Sequence, residues 1–173
     1  MENLSPKKQS SRAEEVYTNK LFQTLVSLDS SAHKRLSKFL NSPYFNQSKT
    51  LIQLSEIFLT QLDRNKSGFD RRQVWRQIFP EAGYDDVNFR KYCSDLLKLV
   101  EAFLAQETVM NDPARRQIDL LHYVVRQKIE PLYSGALRQA RATMSADNYR
   151  SLEYFKNRYA IERLYYEMMD FDV

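Results

Sequence analysis

Hydrophobic residues recur along this chain at intervals of three and four positions, with polar and charged residues between them. In an α-helix this spacing places the apolar side chains on one side, so the pattern predicts amphipathic helices. The predicted helices cover about 14–27, 30–40, 48–62, 71–79, 86–109, 113–128, 131–144 and 145–169. The longest of them, over 86–109, carries an apolar stripe that includes Phe89, Cys93 and Leu96.

The residues between these segments are of the kinds that favour helix ends. Side-chain oxygens that accept hydrogen bonds from the first backbone amides of a helix precede most of the segments: Asp29, Asn46 or Ser48, Asp70, Asp85, Asp112 and Ser145. Proline is unfavourable inside a helix, and four prolines fall at predicted boundaries: Pro43, Pro80, Pro113 and Pro131. Gly135 is the exception, because it lies inside a predicted helix, where glycine lowers helix stability.

The composition supports the helical interpretation. The chain of 173 residues has three glycines and five prolines, and folds rich in β-strands need both residue types at their many tight turns. We therefore predict an all-α protein of antiparallel helical hairpins in an irregular bundle, with a C-terminal half that resembles a helical repeat. We expect a flexible tail over 1–13, an N-terminal helical bundle over 14–111, and C-terminal helices over 112–173 that pack on the bundle and continue in a longer natural chain.

The charge balance and the cysteine count limit the possible functions. The chain has 26 Lys and Arg against 22 Asp and Glu, a formal net charge of +4, which permits nucleic-acid binding without arguing for it. Cys93 is the only cysteine, so no disulfide can form within the chain. The first residues lack the apolar run of a signal peptide, and no apolar stretch approaches the length of a membrane span. We therefore expect a cytoplasmic protein that does not enter a membrane.

One loop resembles a calcium-binding loop. The segment Asp63-Arg64-Asn65-Lys66-Ser67-Gly68 matches the first half of an EF-hand loop, but Val74 stands where the bidentate glutamate is needed. We interpret this loop as a turn between two helices. A zinc site needs about three or four Cys and His ligands, and Cys93, His33 and His122 show no common spacing motif. We therefore expect neither a metal nor another cofactor.

The common catalytic motifs are absent from the sequence. It contains no G-x-S-x-G, no Walker loop, no G-x-G-x-x-G and no H-E-x-x-H. The acidic pairs Glu14-Glu15 and Asp85-Asp86 stand at predicted helix starts, where carboxylates interact favourably with the helix dipole without a catalytic role. We therefore predict that the protein is not an enzyme.

Nucleic-acid binding is an alternative function. The helices over 71–79 and 86–109, with the turn between them, resemble a helix-turn-helix in outline. Five basic residues in this region around 71–100 are candidates for phosphate or base contacts: Arg71, Arg72, Arg76, Arg90 and Lys91. The turn is longer than is usual for this motif, and the second helix is apolar along its whole length. A nucleic-acid-binding regulator is therefore the alternative and not the first choice.

The last predicted helix has more apolar residues than one buried side requires. Two neighbouring sides are apolar, one with Tyr154, Ile161, Tyr165 and Met168 and the other with Phe155, Tyr159, Tyr166 and Met169. We therefore predict a non-enzymatic interaction or scaffold module, in which a protein partner or self-association covers this helix. The residues expected to contact the partner are Tyr154, Tyr159, Tyr165, Tyr166 and Phe171.

Two motifs of the sequence are distinctive. The first is Phe39-Leu40-Asn41-Ser42-Pro43-Tyr44-Phe45-Asn46, and the second combines Tyr84-Asp85-Asp86, Phe89-Arg90-Lys91 and Ser94-Asp95-Leu96-Leu97-Lys98-Leu99. Together they resemble an uncharacterised family of largely helical proteins from Bacteroidetes, over residues of about 30–110. The resemblance implies a helical fold and a longer natural chain, and it brings no established activity or site.

Overall fold

The computed structural model describes residues 17–64, 68–145 and 150–169, and this part of the chain contains eight α-helices. They are α1 (Lys20–Val26), α2 (Ser30–Leu40), α3 (Lys49–Asp63), α4 (Arg71–Ile78), α5 (Asp86–Met110), α6 (Pro113–Arg126), α7 (Glu130–Ser145) and α8 (Leu152–Met169). The described residues form no β-strand, although an isolated antiparallel bridge joins Tyr17 to Phe69. The prediction of an all-α fold is confirmed.

Side chains cap most of the helix starts as the sequence predicts. The Oδ1 atom of Asp29 accepts a hydrogen bond of 2.6 Å from the amide of Ala32 in the first turn of α2. Backbone amides donate corresponding bonds to Ser48 before α3, Asp70 before α4, Asp85 before α5 and Asp112 before α6. Pro113 occupies the first turn of α6, where a helix has no use for the N–H that proline lacks.

The first helix starts later than predicted in the described part of the chain. Residues 17–19 are not helical, and α1 begins at Lys20 after Asn19, whose side chain accepts a hydrogen bond from the amide of Phe22. The backbone of Tyr17 forms two hydrogen bonds with that of Phe69 instead. The distance from the nitrogen of Tyr17 to the oxygen of Phe69 is 3.0 Å, and that from the nitrogen of Phe69 to the oxygen of Tyr17 is 2.9 Å. A contact with a residue distant in the sequence therefore overrides the helical pattern at this end.

The last helix also starts later than predicted. Ser145, the predicted cap, is the final residue of α7, and α8 begins at Leu152. The hydroxyl oxygen of Ser151 accepts a hydrogen bond of 3.2 Å from the amide of Tyr154, so Ser151 is the capping residue. Serine is a good cap in either position, and hydrophobic spacing alone does not distinguish the two.

The chain divides into two compact units between Phe103 and Leu104. The division lies inside α5, before the predicted boundary at 111. In the first unit α3 packs against α1, α2 and α4. In the second unit α6, α7 and α8 pack against one another. Each unit therefore has a core of its own.

Phe69 lies at the centre of an aromatic cluster in the first unit. It belongs to the connection between α3 and α4, and it is buried. Its ring centroid lies 5.4 Å from that of Phe22, 4.7 Å from that of Phe58 and 6.1 Å from that of Phe89. The ring of Tyr17 meets it edge-on at 5.4 Å. One connecting residue therefore joins α1, α3 and α5 through ring contacts.

The second unit has a mainly aliphatic core. Leu121 of α6 and Leu164 of α8 are almost completely buried. The other buried members of this cluster are Ile118, Val125, Ala136, Ala140, Met144 and Ile161. Each of the three helices contributes one side to the core, as amphipathic helices do when they pack together.

Two adjacent leucines of α6 test this packing. Leu121 is fully buried, whereas Leu120 is 42% exposed. We expect Leu121→Ala to lower the free energy of unfolding by about 2–5 kcal/mol, because it leaves a cavity in the core. Leu120→Ala should lower it by no more than about 1 kcal/mol. Urea denaturation followed by circular dichroism measures both values, and equal losses in the two variants would contradict the described core.

Candidate functional site

The side of α8 that faces its own unit is narrow. Ile161 and Leu164 are its fully buried residues. Tyr154, Ala160 and Met168 are partly buried and pack against the same core. Because successive residues of a helix are about 100° apart, these five positions occupy one side of α8. The residues on its other side are left available for contacts outside this core.

The outer side of α8 is apolar and exposed. Tyr159 and Tyr166 have 69% and 67% of their surface exposed, and Leu152 has 72%. Phe155 and Met169 are each about half exposed. These five residues, which we call the outer stripe, fall on one side of the helix, opposite its buried side. Exposed apolar surface of this kind is a mark of interaction sites on proteins.

The structure separates the five residues predicted to contact a partner. Tyr159 and Tyr166 belong to the outer stripe. Tyr154 packs against the core of its own unit, and Tyr165 is half-buried. Phe171 lies outside the described residues. The predicted set therefore mixes residues from both sides of α8.

The outer stripe also contains residues that the predicted set omitted. Phe155 and Met169 share a side with Tyr159 and Tyr166 in the sequence pattern, and the structure places them together on the exposed side. Leu152 was missed, although its spacing from Phe155 and Tyr159 continues the same pattern. Extending the three-and-four spacing back to the first residue of the helix would have found it.

An acidic side chain lies within the outer stripe and is neutralised from a neighbouring helix. The guanidinium of Arg141 in α7 donates a hydrogen bond of 2.9 Å to the carboxylate of Glu162. The same guanidinium lies 4.9 Å from the ring centroid of Tyr165. Arg141 thus provides a positive charge next to the outer stripe, and the carboxylate is not left without a counter-ion.

Two of the five basic residues of the nucleic-acid alternative contact Asp86, in the first turn of α5. Arg71 of α4 donates a hydrogen bond of 2.9 Å to Oδ1 of Asp86, and Arg90 forms an ion pair with Oδ2. The hydroxyl of Tyr84 donates a bond of 2.7 Å to Oδ1. This hydrogen bond from Tyr84, together with the charges of Arg90 and Arg71, holds the pKa of Asp86 below its ordinary value.

The arrangement around Asp86 reduces the positive charge available to a nucleic acid. Arg71 and Arg90, two of the five predicted basic contacts, share this one carboxylate. The guanidinium of Arg72 lies 5.8 Å from the ring centroid of Tyr84. The remaining two of the five residues, Arg76 and Lys91, are exposed on the surface. The region therefore does not form an uninterrupted basic surface.

Aromatic packing holds the connection between α4 and α5. The ring of Phe79 lies 4.6 Å from that of Trp75 in α4 and 5.8 Å from that of Tyr92 in α5. The ring of Tyr84 meets Trp75 edge-on at 6.1 Å. The connection over 79–85 is therefore a packed segment, and it is longer than the turn of a helix-turn-helix.

An open groove of about 340 Å³ lies between α3 and α4. Four glutamines dominate its described lining: Gln53, Gln61, Gln73 and Gln77. Glu56 and Arg64 are charged residues of the same lining, and Oε1 of Gln61 is buried without a hydrogen-bond partner in the described part of the chain. Amides donate and accept hydrogen bonds but do not transfer protons near neutral pH. The groove thus offers mainly hydrogen bonding, with Glu56 as the carboxylate of its described lining.

Metal-ligating side chains do not gather in the described part of the chain. No group of three or more His, Cys, Asp or Glu there could hold a metal ion. The Nε2 atom of His33 is 2.8 Å from the backbone oxygen of Leu25. Of the calcium-like loop, residues 65–67 lie outside the described residues. Among the helices of the described ranges, none combines the length and the apolar character that crossing a membrane requires.

Cys93 is a buried residue of α5. Its place on the predicted apolar stripe agrees with its exposure of only 7%. Burial raises the pKa of its thiol to about 11, so the reactive thiolate is rare near neutral pH. The residue therefore serves packing and offers no nucleophile at the surface.

Comparisons of the chain with protein-family models, with curated proteins and with solved structures give no match. The surfaces of the chain itself therefore carry the functional interpretation: the outer stripe of α8, the charged cluster around Asp86 and the groove between α3 and α4.

The hydrogen bond between Tyr84 and Asp86 predicts a titration result. Burial and then this bond raise the pKa of Tyr84 from its ordinary 10.0 to about 12. Because the fold favours the neutral phenol, this contribution to stability is complete below pH 10 and is lost as the pH rises towards 12. We expect Asp86→Asn to lower the pKa of Tyr84 part of the way, since the burial remains. Ultraviolet difference titration, with Tyr84→Phe as the reference, measures the pKa of Tyr84. An unchanged pKa in Asp86→Asn would contradict the hydrogen bond between Tyr84 and Asp86.

Burial of Cys93 predicts slow reaction with a disulfide reagent. A thiol whose pKa is near 11 instead of 9.0 holds about a hundredfold less thiolate at pH 8. We expect the folded chain to react with DTNB at least about a hundredfold more slowly than the chain in urea, because access is also restricted. The reaction in urea is the internal control. Similar rates in the two conditions would show that Cys93 is not protected by the fold.

Proposed function

We propose that this chain is a non-enzymatic helical module for protein interaction, and that the outer stripe of α8 is its contact surface. The observation that supports the proposal is the exposure of Tyr159 and Tyr166 on a helix whose other side already packs in its own core. Aromatic side chains are frequent anchors of protein interfaces, because they bury a large area at a small loss of conformational freedom.

The size of the outer stripe supports this role. An aromatic side chain carries roughly 150–250 Å² of surface, and burial of apolar surface contributes about 25 cal/mol per Å². Phe155, Tyr159 and Tyr166 each keep more than half of their surface exposed. A partner that covers all three would gain several kcal/mol before the costs of association, which is enough for the centre of an interface.

The nucleic-acid alternative has weaker support. Arg71 and Arg90 are engaged by Asp86, so binding would depend mainly on Arg72, Arg76 and Lys91. Affinity for duplex DNA that falls steeply with salt, and that is lost in Arg76→Glu/Lys91→Glu, would favour this alternative over the interaction module.

We further propose that the protein functions in the cytoplasm. Its one cysteine is buried in the reduced form, and a chain that uses no internal disulfide suits a reducing compartment. Immunofluorescence or cell fractionation in the source organism tests this assignment, and recovery of the chain from an oxidising compartment would contradict it.

A photo-crosslinking residue tests the proposed contact surface. We expect p-benzoylphenylalanine in place of Tyr159 to form an adduct with one defined protein in cells of the source organism, because an anchor residue lies within reach of its partner. The matched control carries the same residue in place of Tyr44, which is also highly exposed but lies between α2 and α3. Mass spectrometry identifies the adduct.

Purified components then complete this test. We expect Tyr159→Glu to weaken binding of the identified partner at least about tenfold, since a charge would be buried in an apolar contact. Adducts that form equally from positions 44 and 159, or a partner whose binding does not depend on Tyr159, would contradict the proposal.

A further inference from the structure

The outer stripe of α8 has the spacing of a coiled-coil seam. In a seven-residue repeat that begins at Leu152, the seam positions a and d fall on Leu152, Phe155, Tyr159, Glu162, Tyr166 and Met169. Five of these six positions are apolar, and the apolar five are exposed. Alternating spacings of three and four residues are the pattern on which a second helix packs its own side chains.

The polar position of the seam is compatible with such packing. Glu162 occupies a d position, and its carboxylate is held by Arg141 of α7 at 2.9 Å. The seam therefore presents a neutralised ion pair at its middle, with aromatic residues on both sides. A helix that packs along the seam would meet Tyr159 and Tyr166 on either side of this pair.

Three of the residues that border the seam are basic. Lys156 and Arg163 lie along one border, Arg158 lies along the other, and all three are exposed. Glu153 pairs with Lys156 at 3.6 Å and Glu167 pairs with Arg163 at 3.2 Å, but both glutamates stand at b positions, farther from the seam. The basic groups at the e positions therefore lie closer to an approaching helix than their glutamate counter-ions do.

The same charges disfavour a second copy of this chain. In an antiparallel pair, Lys156 of each copy would lie near Arg163 of the other. In a parallel pair, Arg158 of each copy would face Arg163 of the other. Both orientations bring like charges together across the contact, which selects against that pairing.

We infer that the outer stripe docks an amphipathic helix of another protein, one with apolar residues at its own seam positions and Asp or Glu beside them. The inference rests on the proposed function, because it specifies the partner of the same surface. Burial of the aromatic stripe supplies affinity, and the acidic border of the partner complements Lys156, Arg158 and Arg163. Charge complementarity thus selects the partner.

Two synthetic helices test the charge preference on the full chain. Both peptides have three seven-residue repeats with Leu at a and d, and they differ only at e and g, which are Glu in the acidic peptide and Lys in the basic peptide. We expect the acidic peptide to bind about tenfold more tightly in isothermal titration at low salt. The difference should shrink as salt is added, since exposed charges are screened.

Charge reversal on α8 provides the matched comparison. Lys156→Glu/Arg163→Glu should reverse the preference, so that the basic peptide binds more tightly. The control Lys34→Glu/Lys38→Glu changes the net charge equally on α2 and should leave the preference as it is in the parent chain. Circular dichroism verifies that each variant keeps its helix content.

The outcomes distinguish this inference from the proposed function. Equal affinities for the two peptides, tighter binding of the basic peptide, or binding of neither would overturn the acidic-helix partner. The proposed function would still stand if a crosslinked protein binds and requires Tyr159. Sedimentation equilibrium that shows a dimer dissociated by Tyr159→Glu would identify a second copy as the occupant, which also overturns the inference and leaves the contact surface in place.

Discussion

The number of helices in the second unit limits how much of α8 can be buried. In the second unit α8 packs against two helices, α6 and α7, so only one side of it faces the core. Ile161 and Leu164 fill that side, with Tyr154 and Met168 at its margin. The sequence nevertheless supplies apolar residues on a second side, and the outer stripe has no place in the core. Its exposure follows from this limit and needs no local irregularity of the helix.

The two candidate surfaces differ in what a partner would gain from them. At Asp86 both arginines already have a partner, because the carboxylate accepts hydrogen bonds from Tyr84 and Arg71 and pairs with Arg90. A phosphate would have to compete with these bonds, which reduces the net energy of its binding. The outer stripe is the opposite case, since its apolar surface is exposed to water and covering it is favourable. For this reason we favour the proposal of an interaction module over that of a nucleic-acid-binding regulator.

Hydrophobic spacing and capping residues predicted the helices. Where the structure differs from these predictions, contacts between residues distant in the sequence are the reason. Caps such as Asp29 and Asp112 lie where the sequence placed them, because a helix start depends on a few adjacent residues. The non-helical segment at Tyr17 depends on Phe69, which no local pattern reveals. Helical spacing also grouped the residues of α8 into two apolar sides, but both sides are equally apolar, so only packing against α6 and α7 shows which is exposed. The family resemblance and the cytoplasmic location stay predictions.

The bridge between Tyr17 and Phe69 has a consequence for the way the chain folds. In the second unit, α6, α7 and α8 follow one another, so its contacts join neighbouring helices or, between α6 and α8, close a loop that contains only α7. In the first unit Phe69 must meet Tyr17 across the whole of α1, α2 and α3 before its ring contacts exist. Loop closure costs entropy before such contacts repay it. We expect the hairpins of the second unit to form early, and the first unit to acquire its core in one late, cooperative step when Phe69 is enclosed.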